Sequence, residues 1–173
     1  MTKIERSIVI DRPIDEVFAF THNLAKSPLW QSTLVELDVL TDGPMRAGTR
    51  WREVRRFLGK RIETVIELTE YEPNRHSAIR MVSGPIPLSG TFALEPVDGA
   101  TRFTVTGELD AHGFFKLAEP VFAPLATREL EANLNQLGQL LGSRNAPTSP
   151  ESALSDERVL LGSSMRRSGR SKR

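Results

Sequence analysis

Apolar and polar positions alternate in short, strand-length runs between residues 46 and 109, and the pattern changes to a helical one over 117–142. The runs break at Gly59-Lys60, Pro73-Asn74, Gly84-Pro85 and Asp98-Gly99, all turn-forming pairs. This predicts a meander of antiparallel strands followed by one amphipathic helix. Ahead of it, Ile4, Arg6, Ile8 and Ile10 share one face of a first strand, with Glu5, Ser7 and Val9 on the other. Asp11-Arg12-Pro13 opens a short helix whose inward face carries Ile14, Val17, Phe18 and Thr21, and Pro13 suits its first position. A second short helix is expected over 24–29, just before Trp30.

Strands are then expected over 34–40, 48–58, 61–71, 77–83, 88–94 and 102–109. Gly59-Lys60 reads as a tight hairpin with glycine in the first central position. In the last strand Phe103, Val105 and Leu109 face inward, and Arg102, Thr104, Thr106 and Glu108 face water. Leu130, Leu134, Leu137 and Leu141 form the core stripe of the long helix. Pro124 predicts a kink or a two-piece helix, and Gly142 a C-terminal cap.

At 173 residues the chain is sized for one domain with a tail. The expected boundary lies at 143. Pro147, Ser149, Pro150, Ser152, Ser155 and the Ser/Arg/Lys ending predict a disordered tail over 144–173, in which Val159-Leu160-Leu161 is an apolar island. The net charge of +1 hides an asymmetry: residues 1–143 carry 16 Lys/Arg against 19 Asp/Glu, and 144–173 carry 7 against 3. The acidic balance of the larger part points away from specific nucleic-acid binding. The basic end, Arg166-Arg167-Ser168-Gly169-Arg170-Ser171-Lys172-Arg173, reads as a solvated tail or a weak electrostatic contact with RNA or an anionic membrane. With no cysteine, disulfides and thiolate metal sites are excluded. The alternating, charged start Met1-Thr2-Lys3-Ile4-Glu5-Arg6 has no apolar signal region, and no apolar run approaches the ~20 residues of a membrane span. A cytoplasmic location is the expectation.

The order of strand, two short helices, six antiparallel strands and long C-terminal helix is a helix-grip order. This is an α+β architecture in which a curved seven-stranded antiparallel sheet wraps a long helix. Trp30 stands before the second strand. The run from Asp42-Gly43-Pro44 to Thr49-Arg50-Trp51 introduces the third. Glu70-Tyr71-Glu72-Pro73-Asn74-Arg75 ends the fourth, Ser83-Gly84-Pro85 ends the fifth, and Gly90-Thr91-Phe92-Ala93-Leu94-Glu95-Pro96 leads into Asp98-Gly99-Ala100-Thr101-Arg102. Over residues 3–142 this ordered set resembles the polyketide cyclase/dehydrase-like members of the SRPBCC superfamily, relatives of START lipid-transfer domains and pollen-allergen folds. The resemblance implies a cavity between the concave sheet face and the helix. It does not choose among cyclases, transfer proteins, receptors and toxin-like proteins, which share the fold.

Strand alternation then nominates the lining. Trp51, Glu53, Arg55 and Phe57 share a face, as do Thr64, Ile66 and Leu68; Ile79, Met81 and Ser83; Phe92 and Leu94; and Phe103 and Val105. Trp30 joins them from the short helix, and Phe122, Ala126 and Asn133 are candidates for the roof. Core packing alone explains many buried aromatics, so the case rests on polar groups set among apolar ones. Glu53 and Arg55 are the sharpest of these: inside a cavity they must pair or meet a polar ligand group. If their strand faces the other way, Arg50, Arg52, Val54 and Arg56 point inward instead, and a third option is a strand end that reaches past the sheet into solvent.

Of three histidines only His22, near Trp30, is a candidate acid–base residue, alongside Glu53; His76 flanks a turn. No His-Glu-x-x-His, phosphate loop, Gly-x-Ser-x-Gly or dinucleotide fingerprint is present, so neither metal nor cofactor is expected. The leading expectation is binding of a small hydrophobic, aromatic or lipid-like molecule, oriented by Glu53, Arg55 and Thr64. The 85–88 loop and the 112–115 segment would close the cavity. A cyclase- or aromatase-like reaction in the same cavity is the second expectation, and an interaction protein using the tail the third.

Overall fold

The computed structural model describes residues 2–85, 87–109, 115–145 and 147–148, with 115–122 described as helical backbone only. Strand β1 (Thr2–Ile10) leads into helix α1 (Ile14–Thr21), a 3-10 turn (Leu24–Lys26) and the one-turn helix α2 (Ser27–Trp30). Strands β2 (Leu34–Val39), β3 (Arg50–Phe57), β4 (Lys60–Glu72), β5 (His76–Ser83), β6 (Leu88–Val97) and β7 (Ala100–Leu109) follow, and helix α3 (Phe115–Leu141) comes last. All seven strands form one antiparallel sheet in the order β1-β7-β6-β5-β4-β3-β2. The meander is thus sequential, and β1 reaches across to the last strand.

The sheet curves, and β4 supplies local reasons. This 13-residue strand carries irregularities against β5 at Val65/Ile66 and Leu68/Glu70. Such bulges bend the strand and increase its twist.

Two hairpins differ from simple glycine punctuation. The β3–β4 turn places Leu58 (φ 48°) and Gly59 (φ 77°) between the paired residues Phe57 and Lys60. It is therefore of the doubly left-handed type, centred one residue earlier than Gly59-Lys60. Its backbone twist matches the strands, which is why an exposed leucine tolerates a positive φ there. Asp98 and Gly99 repeat the geometry between Val97 and Ala100.

Helix α3 is one element through Pro120 and Pro124, not two pieces. Leu134 and Leu137 are fully buried, and Leu130 and Leu141 pack beside them. The helix lies close on β1 at Gly138, where an added Cβ would sit 2.8 Å from Ile8 Cδ1, so a larger residue would push the two apart. Gly142 closes α3 in a left-handed conformation (φ 86°), its amide donating to the Gly138 carbonyl at 2.8 Å.

Past the cap the backbone runs back along the free edge of β1. Arg144 N–H donates to Val9 O at 2.9 Å, and Ser7 and Thr148 exchange two bonds of 2.8 Å. The Arg144 guanidinium meets Asp11 at 2.9 Å. Residues 144, 145 and 148 thus meet hydrogen-bonding groups that would otherwise be an open sheet edge. The apolar island and the basic ending lie outside the described residues.

The interior divides in two. Ile8, Ile10, Val17, Phe18, Trp30, Leu94, Phe103, Val105, Leu134 and Leu137 form a filled core where α1 and α3 meet β1, β6 and β7. Trp51, Ile66 and Leu68 form a second cluster, with Leu24, Leu37, Met45, Ile79 and Met81 against it. Thr106, expected to face water, is buried and donates its hydroxyl to Glu5 at 3.0 Å.

Candidate functional site: a cavity between sheet and helix

The second cluster surrounds a cavity of about 350 Å³, at the lower end of the usual range for small-molecule sites. Strand β3 decides its character. Its alternation turns Trp51, Glu53, Arg55 and Phe57 to the cavity and Arg50, Arg52 and Arg56 to the outside. Arg50 and Arg52 are held by ion pairs. Arg50 and Arg80 both grip Glu67, with Nε of Arg50 at 2.6 Å and Nη2 of Arg80 at 2.7 Å. Arg52 meets Asp38 at 2.9 Å and Glu63 at 2.7 Å, and Arg61 pairs with Glu36. Hydrogen bonds from these arginines hold the Glu36, Glu63 and Glu67 carboxyls below their ordinary range. The unusual charge density of β3 is thus a surface ladder on one face and a polar cluster on the other.

Inside, Arg55 uses all five of its N–H donors. Nε donates to Glu53 Oε1 at 2.7 Å and Nη2 to Glu53 Oε2 at 3.4 Å and to Gln31. Nη1 donates to Thr33 Oγ1 at 3.1 Å and Glu129 Oε1 at 3.4 Å, and the Thr33 hydroxyl donates to Glu129 in turn. The indole N–H of Trp51 reaches Glu53 Oε2 at 3.3 Å. Burial works against the charge on Arg55, but the Glu53 and Glu129 carboxylates outweigh it and raise the guanidinium above its ordinary value. The cluster ties β3 to the α2–β2 connection and to α3, so it is structural as well as a potential contact.

His22 forms the opposite polar point. Its ring stacks on Phe18 at 3.9 Å, with Phe92 edge-on at 6.1 Å and Tyr71 at 6.0 Å. Nδ1 lies 3.2 Å from the Phe18 carbonyl, which only accepts, so Nδ1 carries the proton. Nε2 then accepts from the Ser77 hydroxyl at 2.8 Å. Burial is the main cause that pushes the imidazole down to about 4, partly opposed by the Phe18 carbonyl. The ring is therefore neutral near neutral pH.

The nominated residues sort as follows. Trp30, Trp51, Glu53, Arg55, Phe57, Thr64, Ile66, Met81 and Phe92 line the cavity, as do Leu68 and Ile79. Phe103 does not. It is fully buried in the filled core, stacked 6.1 Å from Phe92 and edge-on to Trp30, because α3 sits directly on the β1–β7 side of the sheet. Ala126 also stays out of the lining, and Asn133 is spent on the Ser32 amide at 3.2 Å. The Phe122 side chain and residues 112–114 lie outside the described residues. Pro85 and Leu88 reach the cavity rim.

Sequence reasoning missed Gln31, Ser77, Leu24, Leu37, Met45 and Glu129. Ser77 precedes Ile79 by two, so strand period alone places it on the same face. Glu129 lies between Ala126 and Asn133 on one helix stripe, but a glutamate is ordinarily a solvent residue. Among the described residues no group of three or more acidic or histidine side chains could hold a metal ion.

The sequence family described as "Polyketide cyclase / dehydrase and lipid transport" matches residues 1–142. The chain belongs to this family. Solved structures agree on the architecture of this family member. A protein of Thermus thermophilus superposes with a TM-score of 0.70 at 20% identity, covering 80% of this chain and 95% of that one. The Zhui aromatase/cyclase of Streptomyces sp. R1128 gives 0.67 at 17% identity, covering 78% and 90%. A START superfamily protein of Mycobacterium smegmatis gives 0.67 at 12%, covering 80% and 96%. The helix-grip fold follows. At such identities the likeness is one of fold. No curated protein matches this chain closely. Among the described residues no helix is long and apolar enough to cross a membrane.

Proposed function

We propose that this protein binds a small hydrophobic molecule, aromatic or lipid-like, between the sheet and α3. The observation that carries this is the cavity itself: largely apolar walls around open space, with a few polar side chains set among them. Apolar burial supplies affinity at about 25 cal/mol per Å². The polar wall of Glu53, Arg55 and Thr64 supplies orientation.

Native mass spectrometry of protein purified from its own host tests the reading, since a co-purifying hydrophobic compound supports it. A second test uses N-phenylnaphthylamine, a neutral fluorescent probe. Met81 is only partly buried and lines the cavity, so Met81→Trp directs its added bulk into the open space. We expect probe affinity to fall at least about tenfold, or about 1.4 kcal/mol, with a cooperative thermal melt retained. Undiminished binding in that variant sinks the cavity as the binding site.

A second reading is cyclase-like chemistry on a reactive polyketone held in the same cavity. It is favoured by two proton-accepting groups on the wall, the Glu53 carboxylate and the neutral His22. Holding the chain in a folded pose would do most of the work, with Glu53 or His22 carrying a proton. Glu53→Gln would then lower turnover about a hundredfold while probe binding changes little. Turnover unchanged in that variant removes Glu53 from any mechanism. The interaction-protein reading rests on tail residues outside those described.

A further inference from the structure

Every charge on the described cavity wall can be assigned. Arg55, Glu53 and Glu129 are the charged side chains among the described lining residues, so the wall carries one net negative charge. His22 adds none, since burial keeps its ring neutral. Arg55 is the wall's described cation, and each of its five donors is already engaged by Glu53, Gln31, Thr33 or Glu129. A carboxylate entering this wall would have to displace one of those acceptors and sit beside two others of its own sign, in surroundings that screen poorly.

The unused hydrogen-bonding capacity has the opposite preference. Glu129 accepts through Oε1 from both Thr33 and Arg55, and among the described residues no donor meets its Oε2. The Thr64 hydroxyl, opposite Glu53 across the β3–β4 pair, is buried with no partner. The Trp30 indole N–H is likewise buried and unpartnered. Both residues line the cavity and are only 4% exposed. Buried polar groups of this kind are costly unless something meets them. A carboxylate can accept from Thr64 or Trp30 but offers Glu129 only a like charge. A hydroxyl can donate to the Glu129 carboxylate or exchange a bond with Thr64, and an ammonium can donate to the carboxylate.

We infer that the cavity selects apolar molecules bearing an uncharged or cationic donor head group, such as an alcohol, a phenol or an ammonium, and discriminates against carboxylates. This rests on the binding reading above and narrows its ligand class. It predicts a lipid-like occupant of the alcohol or phenol kind rather than a free fatty acid.

The test is displacement of N-phenylnaphthylamine from the full chain by decanol, decylammonium and decanoate near neutral pH. These three share a tail and differ in head charge. Decanol and decylammonium are expected to bind at least about tenfold more tightly than decanoate. In Glu129→Gln, which keeps an acceptor for Thr33 and Arg55, the penalty on decanoate should shrink to about threefold or less. Equal affinities in the wild-type protein mean that the head group stays at the mouth, and they overturn the inference while leaving binding intact. Tighter binding of decanoate overturns it too. A wild-type protein that binds neither the probe nor any of the three overturns the binding reading itself. The wild-type ranking stands as a test even if Glu129→Gln fails to fold.

Discussion

Arg55→Met is expected to destabilise the protein by about 3 kcal/mol, the lower end of the cost of breaking a buried ion pair by removing one partner. The side chain is 27% exposed, toward a cavity that it helps line, which argues for the lower end. The loss is large because the partners stay behind. Glu53 and Glu129 would face each other's charge without the guanidinium between them, and Gln31 and Thr33 would each lose a donor. Urea unfolding of the single variant, of Glu53→Gln and of the double variant measures this directly. The double variant should be more stable than the sum of the two single losses predicts, because removing Glu53's charge relieves part of the strain left by Arg55→Met. A loss within about 1 kcal/mol for Arg55→Met would mean that the cluster is held by the fold and not the reverse.

The second large effect is a pH dependence set by His22. In the folded protein its pKa is lowered from 6.5 to about 4, chiefly by burial. The unfolded chain therefore binds more protons than the folded one between those values, so stability rises with pH across that window. Read downward, stability is lost from about pH 6.5 and levels off near pH 4. The full effect is about 3 kcal/mol, at 1.36 kcal/mol per pH unit. Glu36, Glu63 and Glu67 have carboxyls lowered from 4.5, so their losses begin at more acidic pH. The interval between about 6.5 and 4.5 is thus the place to look. Unfolding free energies across it should fall in the wild-type protein and stay nearly flat in His22→Gln. A slope that persists in His22→Gln would mean that another group titrates there.

Both predictions concern residues whose candidacy was visible in the sequence but whose state was not. Strand period put Trp51, Glu53, Arg55 and Phe57 on one face, and the structure shows that face lining the cavity. Period cannot choose which face is inward when both carry arginine. The choice was made by the neighbours on the outer side: Glu36, Asp38, Glu63 and Glu67 arrive from β2 and β4 to meet Arg50, Arg52, Arg61 and Arg80. With those pairs in place, turning the strand over would bury Arg50 and Arg52 without their partners, and Arg56 with them.

Local pattern determined the order of elements, the hairpin positions to within a residue, the leucine stripe of α3 and its Gly142 cap. These follow from the period of side-chain placement and the φ preferences of a few residues, which are properties of short stretches. Where the space lies was decided only by the tertiary structure. Phe103 and Phe92 look equivalent in sequence, yet α3 packs on β1 and fills the β7 side, leaving the opening over β3–β5. Glu129 joins the wall from 74 residues beyond Arg55, and Ser77 meets His22 from 55 residues away. Contacts of that range depend on how the sheet curves and where the helix comes to rest, and no local pattern encodes either.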